Sequence, residues 1–83
     1  MTQTETPVAI TRLVDARGSY CPGPLMELIR AIRESQVGDV IAVRSSDSGS
    51  RVDIPQWVEK AGHGLLGVEQ ADGYDEIVVQ KRR

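Results

Sequence analysis

Pro22 and Pro24, with Gly23 between them, restrict the fold of this chain more than any other residues. Proline inside a helix removes a hydrogen bond and clashes with the preceding turn, whereas in the first turn its missing N–H would have had no intrahelical partner. The residues that follow, Leu25, Leu28, Ile29 and Ile32, recur at i, i+3, i+4 and i+7, the pattern of a helix with one buried stripe. The prolines therefore mark a helix start, and the spacing predicts a first helix running to about Ser35 or Gln36.

Cys21, the only cysteine, stands directly before that start. With Cys21 as N-cap, Pro22, Gly23 and Pro24 fill the first turn, and Gly23 supplies the backbone N–H that would face a sulfur anion. The helix dipole places roughly half a positive charge at this end, and thiols at helix N-termini have pKa values lowered from about 8.5 to roughly 3.5–7.5. A lone cysteine without such a context is more often a small buried hydrophobe. Gly18 and Gly23 leave room for another chain to approach and the prolines stiffen the turn, which tips the balance toward a reactive thiolate. Arg17 would add positive charge here if the loop folds back.

The rest of the chain supplies a scaffold for this loop. Residues 1–7 read as a disordered lead, and residues 8–83 as a single domain. Val8 to Val14 alternates enough for a first strand, and Val40 to Val43 is a β-branched run expected for a covered second strand. Strand, helix and strand in this order imply a parallel βαβ unit with a right-handed crossover. The polar loop after the second strand should then lie beside the Cys21 loop, bringing Asp47 close to the thiol. On the first helix, Glu27 and Arg30 are spaced for a solvated ion pair.

Ile54, Trp57, Val58 and Ala61 repeat the helical spacing, with Asp53 and Pro55 suited to the cap or first turn and Trp57 to core packing. Gly62-His63-Gly64 stops this second helix. His63 fits a dipole-stabilised group at its C-terminus better than a general base. Leu65 to Gln70 and Tyr74 to Gln80 are expected as strands joined at Asp72-Gly73. The order βαβαββ predicts an α+β two-layer sandwich, a four-stranded mixed sheet with two helices on one face. Arg44, Glu69, Gln70 and Gln80 are expected on the uncovered face.

Composition removes several function classes. One Cys and one His leave no set of four ligands for a structural metal, and no C-x-x-C pair exists for redox chemistry within one chain. No cofactor is implied. A net charge of −2, with three aromatic residues in all, argues against direct nucleic-acid binding. The polar N-terminus lacks a signal-peptide pattern and no run approaches a membrane span, which points to the cytoplasm.

Val14-Asp15-Ala16-Arg17-Gly18-x-x-Cys21-Pro22-x-Pro24, followed by Asp53-Ile54-Pro55-x-Trp57 and Gly62-His63-x-Leu65, resembles the two signature blocks of the TusA/SirA sulfur-carrier family over residues 10–82. The resemblance implies that Cys21 accepts sulfane sulfur as a persulfide and passes it to a partner's cysteine. Arg17, Pro22, Gly23, Pro24, Asp47 and Arg51 would support that site. It implies sulfurtransferase activity of a carrier kind, with cysteine desulfurases or rhodaneses as donors and DsrE-type proteins as acceptors. Its pathways include tRNA thiolation, molybdenum cofactor synthesis and sulfur oxidation. The chain departs from the family pattern at Ser19, where Leu is usual, at Val58, where some members carry a second cysteine, and at Asp47-Ser48 in place of Asp-Pro. The rival reading is a non-catalytic regulatory or adaptor module of the same fold, with Cys21 buried and unreactive.

Overall fold

The computed structural model describes residues 10–20 and 22–83; the expected lead over 1–7, Val8 and the Cys21 thiol lie outside the described residues. The elements run β1 (Arg12–Asp15), α1 (Gly23–Arg33), β2 (Val40–Ser45), α2 (Ser50–Ala61), β3 (Gly64–Ala71) and β4 (Tyr74–Gln80). The four strands form one sheet in the order β1-β2-β4-β3. β1 and β2 are parallel, as a helical crossover requires, and the other pairs are antiparallel.

The core lies where both helices meet the two central strands. Ile41 and Val43 of β2 and Ile77 and Val79 of β4 are fully enclosed, together with Leu28 of α1 and Ile54 and Val58 of α2. The side-chain period of two puts Ile41, Val43, Ile77 and Val79 on one face of the sheet, so both helices cover that face. No aromatic ring is fully buried among the described residues; Trp57 packs against the edge of the cluster. Aliphatic interdigitation carries the packing.

Several boundaries differ from those expected, each for a local reason. β2 extends through Arg44 and Ser45 because it is paired on both sides, Arg44 with Asp15 and Ser45 with Asp75. α1 ends at Arg33, where Lys81 Nζ donates to the carbonyls of Ile32 (2.8 Å) and Ser35 (2.7 Å), placing a cation on the negative end of the helix. On its outer face Arg30 turns to Glu34 at 3.6 Å rather than to Glu27.

α2 begins at Ser50, which puts Asp53 in the first turn, as expected, but Pro55 further inside the helix. The N–H groups of Ser50, Arg51 and Val52 already donate to the carbonyls of Asp47, Ser48 and Gly49. The buried Ser45 hydroxyl donates to Ser50 Oγ at 3.0 Å and pins the same turn. Pro55 consequently has no N–H to offer the Arg51 carbonyl.

Gly62 closes α2 at φ +84°, a left-handed conformation that glycine adopts without a Cβ clash. His63 does not act there as a stabilised cation. Its Nδ1 accepts the Arg82 N–H at 3.1 Å, and burial, followed by the charges of Lys81 and Arg83, lowers its pKa and favours the neutral ring. On the sheet, Arg44 and Glu69 share the uncovered face with Glu76. Gln70, expected beside them, is one residue out of phase and faces the helices. With its amide turned so that the oxygen faces the guanidinium, it accepts there from Arg51 Nη2 (3.1 Å) and Nη1 (3.2 Å).

Candidate functional site

One end of the sheet gathers nearly every residue singled out from the sequence. The ends of β1 and β2 and the start of β4 lie side by side there, because Asp15 pairs with Arg44 and Ser45 with Asp75. The loop from Ala16 to Pro22, the loop from Ser46 to Gly49 and the β3–β4 hairpin therefore surround a common corner.

The first of these loops is held by short bonds. The Ala16 N–H donates to the Arg44 carbonyl (2.9 Å), continuing the β1–β2 ladder, and the small Ala16 side chain is buried. The chain then turns. The Ser19 N–H reaches the Ala16 carbonyl (3.1 Å), and Gly18 has φ +91°, where a side chain would be strained. The Gly18 N–H donates to Ser46 Oγ at 2.8 Å, so the two loops at the ends of the parallel strands meet directly. Ser19, Tyr20 and Pro22 are exposed, Tyr20 to 81%. Both sequence neighbours of Cys21 thus face solvent.

α1 starts one residue later than expected, with Pro22 as its N-cap and Gly23 and Pro24 opening the first turn. The Gly23 N–H, expected to be available at the helix mouth, donates to the Tyr20 carbonyl at 2.7 Å. That N–H is therefore already bonded rather than offered to an anion. Pro24 is buried and Pro22 exposed, so the two prolines do different work: one seats the helix and the other faces outward.

Arg17 is already paired with the end of β1. Its guanidinium grips Asp15 with both prongs, Nε to Oδ1 at 2.8 Å and Nη2 to Oδ2 at 2.7 Å, and its backbone N–H adds a third bond at 3.2 Å. It also lies 5.0 Å from the centre of the Tyr74 ring. Arg51 sets Nε against the buried Asp75 carboxylate at 3.1 Å. Beside it a cleft of about 330 Å³ is lined by Ser46, Ser48, Gln70 and Tyr74. The Asp47 N–H donates to Ser45 Oγ at 3.1 Å, fixing the second loop.

Tyr74, Asp75 and Ser46 were not legible as site residues in the sequence. The signal that could have found Tyr74 is its place directly after the Asp72-Gly73 turn, which antiparallel pairing returns to the end of β2.

The Arg17 grip predicts a pH dependence. Its side-chain hydrogen bond, then the backbone bond, lowers the Asp15 pKa from 3.8 to about 2. The folded carboxyl binds a proton more weakly than the unfolded one, so this contribution is complete above the unfolded value and is lost as pH falls toward the folded one. Asp15→Asn is expected to lose less stability than the wild type between about pH 4 and pH 2, measured by urea unfolding at each pH. Equal losses would show that the pair does not persist in solution.

Among the described residues no helix is long and apolar enough to cross a membrane, and no group of His, Cys, Asp and Glu could hold a metal ion. Comparison with known proteins agrees with the motifs. The family model described as Sulfurtransferase TusA matches residues 12–81. An Archaeoglobus fulgidus protein named "Putative sulfur carrier protein" is 56% identical over 69 residues, covering 83% of this chain and 94% of its own. The sulfur carrier protein TusA of Pseudomonas entomophila is 40% identical over 60 residues, covering 72% and 75%. A crystal structure of a SirA-like protein from Desulfitobacterium hafniense has the same fold, with TM-score 0.77 at 24% identity over 88% of this chain and all of that one. With its sheet order, its two signature blocks and these relatives, the chain belongs to the TusA/SirA family of sulfur carriers.

Proposed function

We propose that this protein takes up sulfane sulfur on Cys21 as a persulfide and delivers it to a cysteine of a partner protein. The observation that carries this reading is the Cys21-Pro22-x-Pro24 block at the start of α1, with exposed Tyr20 and Pro22 on either side of the thiol-bearing position. In the first step the Cys21 thiolate attacks the outer sulfur of a donor persulfide. A new S–S bond forms at Cys21 and the donor leaves as its thiolate. In the second step a partner thiolate attacks the outer sulfur of the Cys21 persulfide, and the Cys21 thiolate leaves. Each step exchanges one S–S bond for another, so no external oxidant or reductant is required.

Rates of such exchange follow thiolate fraction, nucleophilicity and access. The exposed loop serves access, and the positive end of α1 favours the thiolate. With one cysteine in the chain, no internal thiol competes for the cargo. A cysteine desulfurase or rhodanese would act as donor and a DsrE-type protein as acceptor, in tRNA thiolation, cofactor synthesis or sulfur oxidation. The outer face of α1 offers a docking surface next to the loop, with exposed Met26 beside Arg30 and Arg33. The protein acts as a carrier between enzymes rather than a stand-alone catalyst.

Mass spectrometry after incubation with polysulfide, or with a desulfurase and cysteine, tests the proposal. The expected result is a gain of about one sulfur mass that reductant removes and that Cys21→Ser lacks. A native protein that gains nothing would favour the adaptor reading.

A further inference from the structure

Two guanidinium groups lie against one ring at the corner of the sheet. Arg17 is 5.0 Å and Arg44 5.4 Å from the centre of Tyr74. Each cation also has its own carboxylate: Arg17 grips Asp15, and Arg44 Nε donates to Glu76 at 3.0 Å. Two positive charges can therefore share the ring without net repulsion between unpaired ions. The arrangement draws on three strands, since Asp15 ends β1, Arg44 lies in β2, and Tyr74 and Glu76 belong to β4.

Arg17 is the one member of the cluster that lies in the loop leading to Cys21. Its bonds to Asp15 hold it to the end of β1, the residue from which the loop departs. The ring contact is different, because Tyr74 reaches the loop from the far hairpin. It joins the bonds from Ala16 to Arg44 and from Gly18 to Ser46 in fixing the loop against the rest of the fold.

We propose that Tyr74 is a positioning residue for sulfur transfer, holding the loop of residues 16–20 in place through the Arg17 guanidinium. This rests on the carrier role of Cys21. A loop already fixed has less freedom to lose when donor and acceptor bind, so its tether favours both hand-over steps.

The test compares wild type, Tyr74→Leu, Tyr74→Phe, Arg17→Met and the Arg17→Met/Tyr74→Leu double variant. Amide hydrogen exchange at Gly18 to Tyr20 is measured alongside the rate of sulfur uptake from polysulfide. Tyr74→Leu and Arg17→Met are each expected to speed exchange in this loop and slow uptake about two- to fivefold, the range of an exposed cation–π contact. The double variant is expected to lose less than the two single losses combined, because the shared ring contact is lost once whichever side chain is removed. Tyr74→Phe keeps the ring and is expected to restore both readouts. Arg17 is exposed, so its variant probes the contact even if Tyr74→Leu fails to fold.

A wild type that takes up no sulfur overturns the carrier role and this inference with it. A wild type that loads normally, with Arg17→Met unchanged in rate or with additive losses in the double variant, overturns the inference alone.

Discussion

Ser19→Cys is expected to empty the proposed carrier, releasing its sulfur as sulfide before a partner can collect it. The new thiolate, two residues from Cys21, would attack the inner sulfur of the persulfide. A disulfide would form between positions 19 and 21 and HS⁻ would leave, so the cargo is lost rather than delivered. Short tethers give effective concentrations on the order of millimolar. Against the roughly 10 μM thiol of a typical assay, the persulfide is expected to decay about 100-fold faster. Ser19 is exposed, so the substitution does not challenge the core. Sulfide release after loading, with the disulfide identified by mass, checks the result. A persulfide as long-lived as the wild type's would show that a resolving thiol is not what a carrier of this kind must avoid.

Leu28→Ala is expected to produce the largest loss of stability. Leu28 is fully enclosed where α1 meets the sheet, among Ile32, Ile41, Val43 and Ile77 of the same cluster. Truncating a buried leucine costs about 2–5 kcal/mol, because the lost transfer energy is joined by the cavity left behind. For a domain of this size each kcal/mol moves the melting temperature by about 4–8 °C, so a cost near 3 kcal/mol lowers it by roughly 12–24 °C. Thermal unfolding followed by circular dichroism measures this. A fall of less than about 4 °C would mean that α1 is not seated by this side chain. The same seam carries the site, since α1 begins at the Cys21 loop.

The elements that were legible in the sequence rest on local rules. Prolines at 22 and 24 mark the start of α1 because of a missing N–H, and Gly62 ends α2 because of a backbone angle. The Asp72-Gly73 turn brings two apolar runs together as a hairpin. The misplaced elements depend on partners remote in sequence. β2 runs long because it has neighbours on both sides, Asp15 of β1 and Asp75 of β4.

The site divides in the same way. Cys21 stands out from sequence because it is the sole cysteine, set before a proline-opened helix. The destinations of Arg17 and Gly23 do not: one guanidinium finds Asp15 and Tyr74, and one N–H finds the Tyr20 carbonyl. Gln70 and His63 likewise changed their expected roles once register and burial were fixed.

Thus the chain by itself determined the order of its elements, the family to which it belongs and the cysteine proposed to carry sulfur. Only the folded molecule decided which charges are already paired, which face Gln70 occupies and which ring lies against Arg17. The physical reason is range. Backbone propensity and periodicity act over a few residues, whereas pairing and burial depend on side chains that strand register brings together from opposite ends of the chain.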